Sequence, residues 1–180
     1  MVEPAAVPLI LADAARLVGH GEIVVFGSAA LALSLPQAPT TRDVDLWVTP
    51  PERGEIVEAL MGELSWYMDK HGSYVEVWGP ETFAAPDDWR TRAKVLHNDE
   101  APAVRLVVPH PHDVLLAKLE RWESQDRAHA GLILAAFPLS PGALDQLAAR
   151  SPYRGGRITS PERCQRFESH LAELRATVGG

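Results

Sequence analysis

Two aspartates at alternate positions are the residues of this chain best suited to chemistry. Asp43 and Asp45 lie in the segment TRDVDLWV, where acidic and aliphatic residues alternate. In a β-strand this spacing puts both carboxylates on one face, while Val44 and Leu46 enter the core from the other face. Two neighbouring carboxylates repel each other unless a cation lies between them. Because carboxylate oxygens are preferred ligands of Mg²⁺, the pattern predicts a site for Mg²⁺ or the similar Mn²⁺.

A glycine–serine pair precedes these acids and predicts a place for phosphate. The apolar run 23–26 indicates a strand, Gly27 and Ser28 indicate a tight turn, and the following Ala/Leu-rich segment indicates a short helix that ends near Leu35. Glycine lets the backbone approach a ligand closely, and the first amides of a helix attract anions. Ser28 is predicted to cap the helix and to offer its hydroxyl to a phosphate oxygen.

The order of strand, Gly-Ser, helix and Asp-x-Asp strand resembles that of the polymerase-β superfamily of nucleotidyltransferases. The resemblance implies an α/β (α+β) fold with a small mixed sheet flanked by helices. It also implies that Asp43 and Asp45 hold the metal ions that carry a nucleoside triphosphate, and that Gly27 and Ser28 bind its phosphates.

Glu76 is the candidate for a third acid. It lies in the strand-like segment 72–79, where Val75 and Val77 form one face and Glu76 lies on the other. The superfamily often places an acid on a neighbouring strand, where it completes the metal site or takes the proton of the attacking hydroxyl. An exposed strand glutamate explains the pattern equally well, so both alternatives stay open for Glu76.

The middle of the chain is similar to one particular family, the DUF6036 nucleotidyltransferases, which are related to the AbiEii-type toxins. The family shows a Trp-Arg-Arg-like segment, a Pro-x-Asp-Leu-x-x-x-Lys-Leu helix and a Lys-Asp-x-x-Asp motif. The matching positions here are Trp89, Arg90 and Arg92, then Pro111, Asp113, Lys118 and Leu119, then Asp126. The resemblance covers roughly 24–137, and the order of these short motifs carries it.

The resemblance implies functional roles for Lys118 and Asp126. Lys118 would supply positive charge to the triphosphate, and Asp126 would orient Lys118 or assist the metal. Its position alone favours a helix lysine that pairs with a surface acid, and the resemblance is what favours the functional role. Two residues depart from the motif: His129 stands in place of its second aspartate, and Gln125 replaces its basic residue.

Composition bounds the class of protein. A chain of 180 residues with 46% hydrophobic and 23% charged residues suits one globular domain. Its net charge of −7 argues against broad, charge-driven attachment to nucleic acid. A single cysteine, Cys164, excludes an intrachain disulfide. No apolar stretch has the length of a membrane span and no basic leader is present, so we expect a cytoplasmic protein without a membrane partner.

The predicted organisation is a nucleotidyltransferase core over 1–110 and a helical part over 111–180. Helical spacing predicts helices over 8–18 and 51–70; in the second, the apolar residues at helical intervals are Ile56, Val57, Leu60, Met61 and Leu64. Further predicted elements are a short helix near Trp89, a strand at 104–108 and helices at 113–121, 125–137, 141–150 and 160–177. Asp113 is predicted to cap the first of the last four, and the basic loop 153–157 is a candidate contact for an acceptor's phosphates.

The predicted activity is transfer of a nucleoside monophosphate from a nucleoside triphosphate to a hydroxyl of RNA, protein or a small molecule. A toxin with a cognate antitoxin is one version of this prediction, and an antibiotic-modifying enzyme is another. The alternative class is a catalytically degenerate module that keeps the fold and binds a nucleotide or a protein partner.

Overall fold

A computed structural model describes residues 1–38 and 40–179. The chain forms two compact units, one built from Met1–Thr82 and Ala93–Pro109, the other from Phe83–Arg92 and His110–Gly180. The sequence prediction placed residues 83–92 with the first part of the chain, but they cluster with the second. Each unit is described separately below.

The first unit is a five-stranded mixed sheet with helices. The strands are β1 (Gly21–Val25), β2 (Val44–Thr49), β3 (Val75–Val77), β4 (Lys94–Leu96) and β5 (Val104–Val108). They lie in the order β3-β2-β1-β5-β4. The pairs β1/β5 and β2/β3 are parallel, while β1/β2 and β4/β5 are antiparallel. The predicted mixed α/β fold is therefore confirmed.

The core of this unit forms where α1 (Val7–Val18) and α3 (Pro51–Met61) pack against the sheet. Apolar residues of α1 recur at helical spacing and are buried, as Ile10, Leu11 and Ala14 show. Gly19 closes the helix at a φ of 73°. In β2 every second residue is buried, which gives the alternation that the sequence predicts.

The helix predicted over 51–70 is wrong in one respect, because it is two helices. α3 ends at Met61, and α4 (Trp66–His71) begins after a break in which Leu64 has a φ of 68°. The Ser65 hydroxyl caps α4 by accepting from the Met68 amide at 3.2 Å. Of the apolar residues at helical intervals, Val57 and Met61 are buried in α3, whereas Ile56, Leu60 and Leu64 are 38%, 53% and 90% exposed.

The second unit is helical. Its helices are α5 (Pro111–Lys118), α6 (Ser124–Ala136), α7 (Pro141–Ala149) and α8 (Pro161–Gly179). A 3₁₀ turn at Trp89–Thr91 belongs to the same unit. The fully buried side chains at its centre include Leu115, Leu116, Leu119, Ile133, Leu144, Phe167 and Leu174. The predicted helices of this region are confirmed, with no end shifted by more than three residues.

None of the helices in the described part of the chain combines the length and the apolar character that crossing a membrane requires.

Candidate functional site

The glycine turn and the Asp-x-Asp strand meet in the first unit. Asp45 lies on β2, and its backbone carbonyl accepts a hydrogen bond from the amide of Phe26, at 3.1 Å, directly before the turn. Gly27 follows with a φ of +60°, and a Cβ placed on it would overlap Oδ2 of Asp45. This carboxylate therefore lies directly against the glycine backbone. The two halves of the sequence pattern form one place in the structure.

Asp43 lies in the bend immediately before β2, so the prediction that both acids belong to the strand is wrong for this one. Its side chain is half-buried, and the Tyr74 hydroxyl lies within 3.4 Å of its Oδ2. Burial raises the pKa of Tyr74, and the Asp43 charge raises it further. The tyrosine stays protonated and can donate to the carboxylate.

Glu76 lies beside these acids on the neighbouring strand. In the parallel pairing of β2 with β3, Asp45 and Glu76 are register partners, so their side chains leave the sheet on the same side. Burial raises the pKa of Glu76, the charges of Asp43 and Glu58 raise it further, and hydrogen bonding by Tyr74 opposes the rise. Glu76 thus holds a proton to higher pH than an exposed glutamate would.

Asp43, Asp45 and Glu76 supply carboxylate oxygens, the donors that a hard divalent cation prefers. The charge of Asp43 also contributes to the raised pKa of Glu76. Among residues 1–38 and 40–179, no three His, Cys, Asp or Glu side chains are grouped as a preassembled metal cluster. Asp43 and Asp45 fit a cation by donor type, with Glu76 as the adjacent acid.

Ser28 does not have the predicted capping role. Helix α2 spans Gly27–Ala32, Phe26 is its N-cap residue, and no side chain makes a cap hydrogen bond there. Ser28 is therefore the second residue of the helix and is partly exposed. The helix begins at Gly27, two residues earlier than a Ser28 cap would allow. The contact of the Ser28 hydroxyl with phosphate stays a prediction.

Lys118 and Asp126 belong to the second unit and form a buried ion pair. The Lys118 ammonium donates to Asp126 Oδ1 at 2.8 Å, and the side chains are 8% and 0% exposed. Arg121 also donates to both oxygens of Asp126, at 2.9 and 2.8 Å, and the Glu123 amide donates at 3.1 Å. The sequence motif indicates the lysine and the aspartate but gives no sign of Arg121. The sequence feature that could have indicated this contact is the position of Arg121, five residues before Asp126.

The electrostatics of this pair favour the charged aspartate. Burial raises the pKa of Asp126, but hydrogen bonds from Arg121 and Lys118 outweigh it and bring the pKa well below its usual range. His129 is buried in the same unit, and its Nδ1 has no hydrogen-bond partner among residues 1–38 and 40–179. Burial and then the Lys118 charge lower the pKa of His129 to about 4, so this histidine is neutral.

Two further motif residues, Arg92 and Asp113, belong to a second ion-pair network in this unit. Arg92 donates to Asp88 at 2.7 and 2.9 Å and to the buried Asp113 at 3.2 and 2.6 Å. Asp113 therefore does not cap α5. The N-cap residue is His110, whose ring nitrogen accepts from the His112 amide at 3.2 Å.

The basic loop 153–157 is already neutralised by acids of its own unit. Arg154 pairs with Glu168 at 2.7 Å, and Arg157 pairs with Asp87 at 2.5 Å. Tyr153 is buried and donates to Glu120 at 2.6 Å. The cluster of positive charge that the sequence shows is thus internally paired in the folded unit.

A mixed sheet that carries an Asp-x-Asp segment against a glycine turn defines a nucleotidyltransferase-like domain. The chain belongs to the DUF6036 family, described as nucleotidyltransferases of unknown function, whose model matches residues 8–135. Neither the curated proteins nor the solved structures contain a significant match. The expected relation to AbiEii-type toxins stays a prediction.

Proposed function

We propose that this protein is a Mg²⁺-dependent nucleotidyltransferase that moves a nucleoside monophosphate from a nucleoside triphosphate to an acceptor hydroxyl. The observation that carries the proposal is the contact between Asp45 Oδ2 and the Gly27 turn. A metal-binding carboxylate and a close-approach glycine are useful together when one ligand contains both a bound cation and phosphate oxygens.

The candidate site residues of the first unit each have a defined part in this chemistry. Asp43 and Asp45 would hold the cation, which when bound would neutralise charge on the triphosphate and on the departing pyrophosphate. The amides that follow Gly27, with the Ser28 hydroxyl, bind phosphate oxygens. Tyr74 keeps the Asp43 carboxylate oriented through the contact at 3.4 Å.

Glu76 serves as the general base. Its raised pKa brings it closer to working pH, which improves a carboxylate as a proton acceptor. The acceptor hydroxyl oxygen forms a bond to the α-phosphorus, and its proton passes to Glu76. The bond between the α-phosphorus and the bridging oxygen breaks, and pyrophosphate leaves with that electron pair.

Lys118 and Asp126 are proposed as the supporting pair of the family motif. In the second unit the Lys118 ammonium donates to Asp126 at 2.8 Å, and this bond supports the proposal that Asp126 orients Lys118. We propose that Lys118 adds positive charge for the triphosphate. The proposal includes an acceptor, which is an RNA, a protein or a small molecule, and an antitoxin partner. Screening is the way to identify both.

The test is label transfer by purified protein. The four α-³²P nucleoside triphosphates, each with Mg²⁺, are incubated with total RNA, with protein extract and with small hydroxyl acceptors. We expect one combination to become labelled, and Asp43→Asn and Asp45→Asn to reduce labelling by about 100-fold or more. Asparagine keeps the side-chain shape and one acceptor oxygen, so the loss reports charge.

The matched control is Asp99→Asn in the same unit, since the Asp99 side chain is 93% exposed. This variant should label at the wild-type rate. Labelling by Asp45→Asn at the wild-type rate would remove the catalytic assignment. Nucleotide binding that depends on Asp45, without any transfer to the three acceptor classes, would favour the degenerate binding module.

A further inference from the structure

Trp78 is an exposed aromatic residue beside the candidate metal site. It directly follows β3, and its backbone amide donates to the Leu46 carbonyl at 2.8 Å, which fixes it next to β2. Its indole nitrogen Nε1 donates to Asp45 Oδ1 at 3.1 Å, while the residue is 43% exposed. An exposed tryptophan directly after the edge strand β3 thus donates a hydrogen bond to Asp45, the central acid of the proposed site.

The two oxygens of Asp45 are held from different sides. Oδ1 accepts from the Trp78 indole, and Oδ2 lies against Gly27. A carboxylate fixed in this way keeps one rotamer before any ligand arrives. The indole N–H occupies one of the two lone-pair directions of Oδ1 and so sets the orientation of that oxygen.

We infer that Trp78 is a positioning residue that orients Asp45 for the divalent cation. The inference rests on the proposed function, since it takes Asp45 as a metal ligand. Groups that hydrogen-bond to a ligating side chain fix its orientation, and their loss typically lowers metal affinity about 10–100-fold. Trp78 suits the role because an indole N–H donates only and cannot compete with Asp45 for the cation.

The test is a titration of the protein with Mn²⁺ alone, with free Mn²⁺ followed by electron paramagnetic resonance. Trp78→Phe removes the donor and keeps an aromatic ring. A second variant carries 3-benzothienylalanine at position 78, which has the shape of tryptophan but no N–H. Trp66→Phe is the matched control, because Trp66 is 69% exposed in the same unit and lies against Lys70. Circular dichroism confirms that each variant is folded.

We expect both changes at position 78 to raise the Kd for Mn²⁺ about 10-fold or more, Trp66→Phe to leave it unchanged, and Asp45→Asn to abolish binding. Wild-type affinity in the benzothienyl variant, with binding lost in Asp45→Asn, would overturn the role of Trp78 and leave the proposed function intact. Mn²⁺ binding that is absent in the wild type, or unchanged in Asp45→Asn, would overturn both.

Discussion

Asp126 should matter more to stability than Lys118, although they form one pair. In Asp126→Asn the Lys118 ammonium, 8% exposed, loses its counter-charge and stays beside the exposed Arg121 guanidinium. An uncompensated buried charge costs about 3–5 kcal/mol. In Lys118→Met the Asp126 carboxylate still accepts two hydrogen bonds from Arg121 and one from the Glu123 amide. The loss there is one charge-assisted hydrogen bond, about 1.5–3 kcal/mol.

The free energy of unfolding is measured by urea titration at pH 7, with circular dichroism and tryptophan fluorescence as separate probes. Arg121→Gln is the companion variant, because Arg121 is exposed and its removal leaves the Lys118–Asp126 bond in place. The expected order of destabilisation is Asp126→Asn first, with Lys118→Met and Arg121→Gln well below it. A loss in Lys118→Met that equals or exceeds the loss in Asp126→Asn would refute the argument.

Two further predictions concern pH and the glycine turn. His129 has a folded pKa of about 4, below its unfolded value near 6.5, so its neutral form stabilises the fold above pH 6.5 and this stability is lost as pH falls towards 4. Between pH 6.5 and 4 the melting temperature of His129→Gln should fall less than that of the wild type. The lowered pKa of His110 contributes equally to both proteins, so an equal fall in both would contradict the prediction. Gly27→Ala and Gly19→Ala should each cost about 1–2 kcal/mol of unfolding free energy, because both positions have positive φ. Gly27→Ala should also bind Mn²⁺ more weakly in calorimetry, because the added Cβ overlaps the Asp45 carboxylate. Gly19→Ala should bind Mn²⁺ like the wild type, because the space around Gly19 is open. Equal Mn²⁺ affinities in the two variants would argue against Asp45 as a ligand.

The sequence predicted the features that depend on local periodicity. The alternation through Asp45 is reproduced in β2, and the helical spacing over 8–18 is reproduced in α1. The place of Asp45 against Gly27 was expected from the order of the motifs, which the antiparallel pairing of β1 with β2 brings together.

Other features depend on contacts between distant segments, which one sequence does not display. The Trp78 indole reaches Asp45 across 33 positions, and Arg92 reaches Asp113 across 21. The break between α3 and α4 was missed because the apolar residues on each side keep helical intervals, although Gly62 and Ser65 are extended and Leu64 has a positive φ. β4 was missed because three residues are too few to show a period.

The discontinuous make-up of the second unit decides where this chain can be divided. A fragment that starts at His110 lacks residues 83–92 and therefore the guanidinium of Arg92, which leaves the fully buried Asp113 without its counter-charge. A fragment that stops at Pro109 contains Arg92 but lacks its buried partner Asp113. A single cut gives two damaged products, so an intact first unit requires excision of 83–92 and a new peptide link between Thr82 and Ala93.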